Sequence, residues 1–146
     1  MIDDEFWTYQ VLGKCRKLKH LDDVLYAYRQ QENSVMHETF SIKRLQALEA
    51  KTLRLKYVDK NYKKLLFVAK NDLWLTCVYM GQMSLKYFSK DDSRKAFEFI
   101  NDVLRFCKFS KNDMKQLRFT YKVWALVTRI SIKMACRLRN WMNIGL

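Results

Sequence analysis

The chain has no proline and only three glycines in 146 residues. Folds rich in strands and tight turns use both residues, glycine to reach positive φ and proline to preset it. Their scarcity argues against a turn-rich β architecture and favours long helices joined by short connections. Histidine is nearly as rare, and His20 and His37 stand too far apart to complete a metal site. The four cysteines, at 15, 77, 107 and 136, form no Cys-x-x-Cys unit. That spacing argues against zinc or dithiol chemistry and predicts buried free thiols in a reducing cytoplasm. No run of eighteen uncharged apolar residues exists, so no membrane-spanning helix is predicted. The acidic N-terminus lacks the apolar stretch of a signal peptide.

Acid is also scarce in one region. From Lys108 to the end there are nine basic residues (Lys108, Lys111, Lys115, Arg118, Lys122, Arg129, Lys133, Arg137 and Arg139) and a single acid, Asp113. The chain as a whole carries a net charge of +13. A surplus of this size calls for an anionic partner: nucleic acid, an anionic membrane or a nucleotide diphosphate. Nucleic acid is the least favoured of these. The aromatic residues fall on predicted apolar faces, away from the lysines, and no nucleic-acid motif is visible. Apolar residues make up 49% of the chain, enough for a core, and the length suits about one domain.

Apolar spacing predicts a helix from residue 3 to about 18, with Phe6, Tyr9 and Leu12 on one side and Gly13 weakening it slightly. Residues 19–31 read as extended, with a turn at Asp22-Asp23 and an alternating Leu25–Tyr28 run. From about Glu38 onward the pattern is helical. Thr39 or Ser41 can cap a helix carrying Phe40, Leu45, Leu48, Thr52 and Leu55. A second helix runs from about Lys60 into the eighties, and its nearly all-apolar stretch Leu73–Met83 is predicted to be the most buried part of the chain. Ser89–Ser93 reads as a turn and cap before a helix with Ala96, Phe97, Ile100, Val103, Leu104 and Cys107 inside.

Ser110 or Asn112 can cap a last helix running to about Trp141. At 100° per residue, Lys111, Lys115, Arg118, Lys122, Arg129, Lys133 and Arg137 share one face of it, while Leu117, Tyr121, Trp124, Val127, Ile130, Met134, Leu138 and Trp141 share the other. A basic amphipathic helix with tryptophan on its apolar side is the pattern of an interfacial membrane helix, with Lys115, Arg118, Lys122, Arg129, Lys133 and Arg137 toward the lipid headgroups. It is equally the pattern of a helix docked on its own core with lysines in water. Docking on its own core is the commoner use of such a helix, and the single sign of the polar face is what lifts the membrane reading above background.

Three consecutive acids, Asp3-Asp4-Glu5, open the chain and lead into Phe6-Trp7-Thr8-Tyr9. About twenty residues later stands Tyr26-Ala27-Tyr28-Arg29, followed by Asn33-Ser34. Acids at a helix start commonly serve only as N-cap and first-turn charge, and tyrosines on a strand commonly pack. The two segments together, in this order and spacing, resemble the end of the catalytic domain of family 2 glycosyltransferases, of GT-A type. The resemblance covers about the first quarter of the chain. In that family the domain ends in a Glu-Asp pair followed by another acid, then a helix, then a strand and loop of the form Tyr-x-Tyr-Arg with a later Ser. Asp3 stands here in place of the usual Glu. The metal-binding His that some members carry two residues after the Arg is replaced by Gln31.

The resemblance implies Asp4 as the general base that takes the acceptor hydroxyl's proton, with Asp3, Glu5, Tyr28, Arg29 and Ser34 contacting substrate. Arg29 could pair bidentately with a diphosphate leaving group. It implies a nucleotide-sugar donor and a glycan or lipid-linked acceptor. It also implies a divalent metal, Mg or Mn, in the complete enzyme, with no cofactor held by this chain. No Asp-x-Asp donor motif is present, so the chain reads as a C-terminal portion, inactive alone. The resulting fold class is mainly α: a short helix-plus-strand remnant of a GT-A-like α/β domain over residues 1–37, then a bundle of about four helices over 38–146. The expected location is the cytoplasm, peripheral at the inner membrane face. The competing reading is a non-enzymatic basic helical module that binds an anionic membrane or nucleic acid.

Overall fold

The computed structural model describes residues 3–23 and 40–145. Among them are seven α-helices and no strand: α1 (Asp3–Lys14), α2 (Gln46–Asn61), α3 (Leu66–Tyr87), α4 (Lys90–Leu104), α5 (Lys111–Gln116), α6 (Phe119–Ile130) and α7 (Ile132–Trp141). Short 3-10 turns at Ile42–Leu45 and Lys63–Leu65 lead into α2 and α3. The mainly helical expectation holds.

The first helix stops earlier than its apolar spacing predicts. The Tyr62 hydroxyl donates to the Gly13 carbonyl at 3.0 Å, taking an acceptor that another turn would need. The following Cys15–Asp23 stretch is exposed throughout and rich in lysine and arginine, so continuing the helix would bury nothing. The extended segment expected over 19–31 is not seen in residues 19–23, which have no regular structure. Residues 24–31 of that expectation, with Tyr26, Tyr28 and Arg29, and the later Asn33 and Ser34, lie outside the described residues.

α3 is the centre of the core and packs against α2, α4 and α7. Its predicted burial is met at Leu73, Trp74, Cys77, Val78 and Met80, while Tyr79 faces out. Phe40, Leu45, Leu48, Thr52 and Leu55 turn inward on the α2 side, as their spacing requires. The Thr52 hydroxyl is satisfied by donating to the Leu48 carbonyl at 2.6 Å. Ser89 caps α4 by accepting the Asp92 backbone N–H, and Ala96, Phe97, Ile100 and Val103 fill the core below it. Gly81 sits where α3, α4 and α7 meet. A Cβ there would lie 2.6 Å from Cys136 Sγ and 3.2 Å from the Phe97 ring, so only glycine permits this approach.

The single long C-terminal helix is corrected to three shorter ones. Ser110 forms a capping box with Asp113 and starts α5. At Leu117 the backbone turns extended (φ −68°, ψ 143°), which drops this side chain into the core. At Ser131 it turns extended again (φ −158°, ψ 115°), and the Ser131 hydroxyl accepts the Met134 N–H at 3.2 Å, capping α7. One non-helical residue is enough to rotate α7. Its inner face is therefore Ile132, Ala135, Cys136 and Arg139, not the predicted Met134, Leu138 and Trp141.

Arg139 is the polar tie between α7 and α3. Its Nε donates to Gln82 Oε1 at 3.1 Å, and its guanidinium lies 5.2 Å from the Trp124 ring centroid. Gln82 Nε2 donates in turn to Asn140 Oδ1 and to the Ile144 carbonyl, both at 2.9 Å. Burial holds the Arg139 pKa below the ordinary guanidinium value. No described helix is long and apolar enough to cross a membrane.

Candidate functional site

The acidic triplet forms the first turn of α1, where the partial positive charge of the helix N-terminus favours acids. α1 is docked on α2, so the expected boundary near residue 37 separates two segments that touch. Tyr9 stacks at a tilt on Tyr57 with ring centroids 5.1 Å apart. Glu5 Oε2 accepts from Arg54 Nη1 at 3.3 Å. Arg54 also pairs with Asp72 of α3, and Asp72 accepts from Lys51 Nζ at 3.0 Å. This chain of charges, Glu5, Arg54, Asp72 and Lys51, joins three helices.

Beside it a cleft of about 310 Å³ is lined by Asp4, Glu5, Thr8, Tyr9, Leu12 and Arg54. Asp4 is exposed at its edge. The arrangement places two carboxylates, two hydroxyls and a guanidinium already paired with Glu5 and Asp72 around one small volume, which suits the hydroxyls of a polyol. Asp3 opens the helix. Tyr28, Arg29 and Ser34, the other expected substrate contacts, lie outside the described residues, so only the acidic half of the expected site is described.

Arg54 and Asp72 were not read from the sequence as site residues. A signal was present: Lys70 and Asp72 are the only charges between Leu66 and Lys86. A lone acid in an apolar helix needs a cation nearby, and Lys51 and Arg54 stand three apart on the preceding helix.

The six basic residues assigned to a membrane surface do not share one helix. Lys115 belongs to α5, Arg118 is the N-cap of α6, Lys122 and Arg129 lie within α6, and Lys133 and Arg137 lie within α7. All are exposed except Lys122, which is half-buried. The residues expected on the opposite, packed side divide. Leu117 is buried, and Tyr121, Trp124 and Val127 are partly buried. Ile130, Met134, Leu138 and Trp141 are exposed, which speaks against the reading in which this whole face docks on the chain's own core.

Lys70 Nζ contacts Asp113 Oδ2 at 3.1 Å and ties α5 to α3. Burial by itself would raise the Asp113 carboxyl. The Ser110 backbone N–H, Lys70 and the Ser110 hydroxyl outweigh it and hold the group below its ordinary value. Among the described residues no three His, Cys, Asp or Glu are grouped to hold a metal.

Comparison with known proteins finds no matching family model, no matching curated protein and no matching solved structure.

Proposed function

We propose that the chain is the C-terminal part of a nucleotide-sugar-dependent inverting glycosyltransferase that builds cell-surface polysaccharide or glycan. The reading places it in the cytoplasm, at the inner face of the membrane. One observation carries it. Asp4 stands exposed in the first turn of α1, at the edge of a cleft it shares with Thr8 and Arg54, and the family's Tyr-x-Tyr-Arg and Ser follow at Tyr26–Arg29 and Ser34.

In this reading Asp4 accepts the proton of the acceptor hydroxyl as that oxygen attacks the anomeric carbon. The bond from that carbon to the nucleotide diphosphate breaks with its electron pair leaving on the diphosphate, and the configuration inverts. A base in this role must be ionised and within hydrogen-bond reach of the hydroxyl. Arg29 receives the negative charge of the departing diphosphate. Tyr28 and Ser34 orient sugar hydroxyls. Glu5, held by Arg54 through one oxygen, fixes the first turn and offers its other oxygen to the substrate. The described residues do not provide the Mg or Mn site that the resemblance implies for the complete enzyme.

The test is Asp4→Asn in the full-length gene product. Transfer should fall by roughly 10²–10⁴-fold, the usual worth of a general base. Donor affinity measured by calorimetry should stay unchanged. Turnover retained in Asp4→Asn removes the assignment.

A further inference from the structure

The C-terminal helices bury Ala125, Thr128, Ile132, Ala135, Cys136 and Arg139 and leave a set of large apolar side chains exposed. On α6, Phe119, Val123, Leu126 and Ile130 fall within an arc of about 60° at 100° per residue. That arc lies opposite the buried Ala125 and Thr128. Phe119 is 80% exposed and Ile130 79%. On α7, Met134, Leu138 and Trp141 span another arc of about 60°, with Trp141 81% exposed. Basic residues flank both arcs on the same rotational side: Lys122 and Arg129 on α6, and Lys133 and Arg137 on α7. From Met114 to the end of the chain there is no aspartate or glutamate.

Next to the α6 stripe a cavity of about 380 Å³ opens between the end of α4 and α6. Arg105, Lys108 and Arg129 line it together with the Trp74 and Phe109 rings. Arg105 lies 3.5 Å from Asp102, its neighbour on the helix, and both side chains are largely exposed. Arg129 stands between this cavity and the apolar stripe.

We propose that the α6–α7 surface is a docking face for an anionic lipid bilayer. Phe119, Leu126, Ile130 and Trp141 enter the acyl boundary, while Lys122, Arg129, Lys133 and Arg137 meet headgroup phosphates. Charge complementarity selects this occupant. An apolar stripe bordered on one side by cations alone, with no acid in the last thirty-three residues, fits a surface that is apolar below and uniformly negative above. The role of the cations agrees with the sequence pattern; of the inserted side chains, Ile130 and Trp141 belong to the apolar face read from the sequence, whereas Phe119 and Leu126 do not. The inference stands apart from glycosyl transfer and holds with or without Asp4 as a base.

The test uses the 146-residue chain with vesicles of phosphatidylcholine alone or with about 30% phosphatidylglycerol. Co-sedimentation should require the anionic lipid and weaken with salt, by about five-fold for each cation neutralised. Phe119→Ser with Ile130→Ser and Trp141→Ser should reduce partitioning at least about ten-fold, since apolar insertion supplies the rest. These side chains touch little of the core, so circular dichroism and the melting temperature should not change. Brominated acyl chains should quench tryptophan emission, and Trp141→Phe should remove that quenching. Three outcomes overturn the proposal. One is no binding to anionic vesicles. Another is quenching that survives Trp141→Phe, which would place a different surface in the lipid. The third is a concentration-dependent dimer in sedimentation velocity that the serine variant dissociates, which would make a second copy the occupant.

Discussion

Gly81→Ala separates two opposed effects at one position. Gly81 lies inside α3, where alanine is favoured over glycine by about 1 kcal/mol on helix propensity. Its missing Cβ is also the space into which Cys136 of α7 packs, 2.6 Å from where that carbon would be. Unstrained carbon contacts lie near 3.5–4.0 Å, so the helices must separate by roughly 1 Å or Cys136 must leave its rotamer. Neither is easy, because Cys136 is fully buried and its thiol donates to the Val78 carbonyl at 3.4 Å. Overpacking of this kind costs about 1–3 kcal/mol. The net loss for Gly81→Ala should then lie between about 0 and 2 kcal/mol, a fall in melting temperature of up to roughly 8 °C at this chain length. The decisive comparison is the same substitution in Cys136→Ala. There the sulfur is gone, and the Phe97 ring at 3.2 Å has only a few tenths of an ångström to yield. Gly81→Ala should become neutral or stabilising by up to about 1 kcal/mol as the propensity gain emerges. Urea unfolding followed at 222 nm on the four proteins gives the cycle, and the coupling should exceed about 1 kcal/mol. If Gly81→Ala stabilises the parent chain, or the coupling stays under about 0.3 kcal/mol, the close α3–α7 approach is refuted.

Asp113→Asn removes the Lys70 ion pair and one half of the α5 capping box, and should cost about 1–2 kcal/mol at pH 7. Because the folded carboxyl titrates below its ordinary value of 3.8, its contribution is complete above that value and fades as pH falls through the lower folded one. The gap between parent and variant unfolding curves should therefore narrow as pH falls below 3.8, and a constant gap across that range would refute the linkage. Thiol titration with a chromogenic disulfide at pH 8 should find one fast cysteine, the exposed Cys15, and all four only after denaturation. Burial pushes the Cys136 thiol up to about 12, and a hydrogen bond with Cys107 together with burial raises Cys77 well above its usual range. Two or more fast thiols in the native protein would contradict this packing. Arg54→Ala breaks the link from Glu5 to Asp72, so amide exchange should accelerate across α1 and remain unchanged in α3. Equal protection of α1 in both proteins would show that the Tyr9–Tyr57 contact and the Tyr62–Gly13 hydrogen bond hold it without the ion pair.

The helical class, the caps at Ser89 and Ser110 and the inward faces of α2 and α4 were legible because each rests on a local rule. Fixed spacing put Leu48, Thr52 and Leu55 on one side of α2, and Ala96, Phe97, Ile100 and Val103 on one side of α4. The candidate site was only half legible. Asp4 could be singled out through a family pattern. Its neighbour Arg54 is forty-nine residues from Glu5 along the chain and meets it only because α1 folds back on α2. No spacing rule reaches that far.

The C-terminal region was misread for a reason that bears on its use. No proline or glycine marks the breaks at Leu117 and Ser131, and a periodic reading assigns the inside to whichever side carries the larger apolar residues. That rule assumes burial is limited by hydrophobicity. At α7 it is limited by distance. Gly81 brings α3 so close that only the side bearing Ala135 and Cys136 fits against it. The inward side of α7 is then Ile132, Ala135, Cys136 and Arg139, with the two small residues at the close approach, and Met134, Leu138 and Trp141 are left outside. Trp141, 81% exposed, forgoes most of the roughly 1.5–3 kcal/mol that full burial of a large apolar side chain supplies, and Met134 and Leu138, 42% and 40% exposed, forgo part of it. α6 repeats the pattern with Phe119, Val123, Leu126 and Ile130 outward. In the proposed bilayer docking an external apolar phase recovers part of that loss, which would tie the close α3–α7 contact at Gly81 to the docking surface.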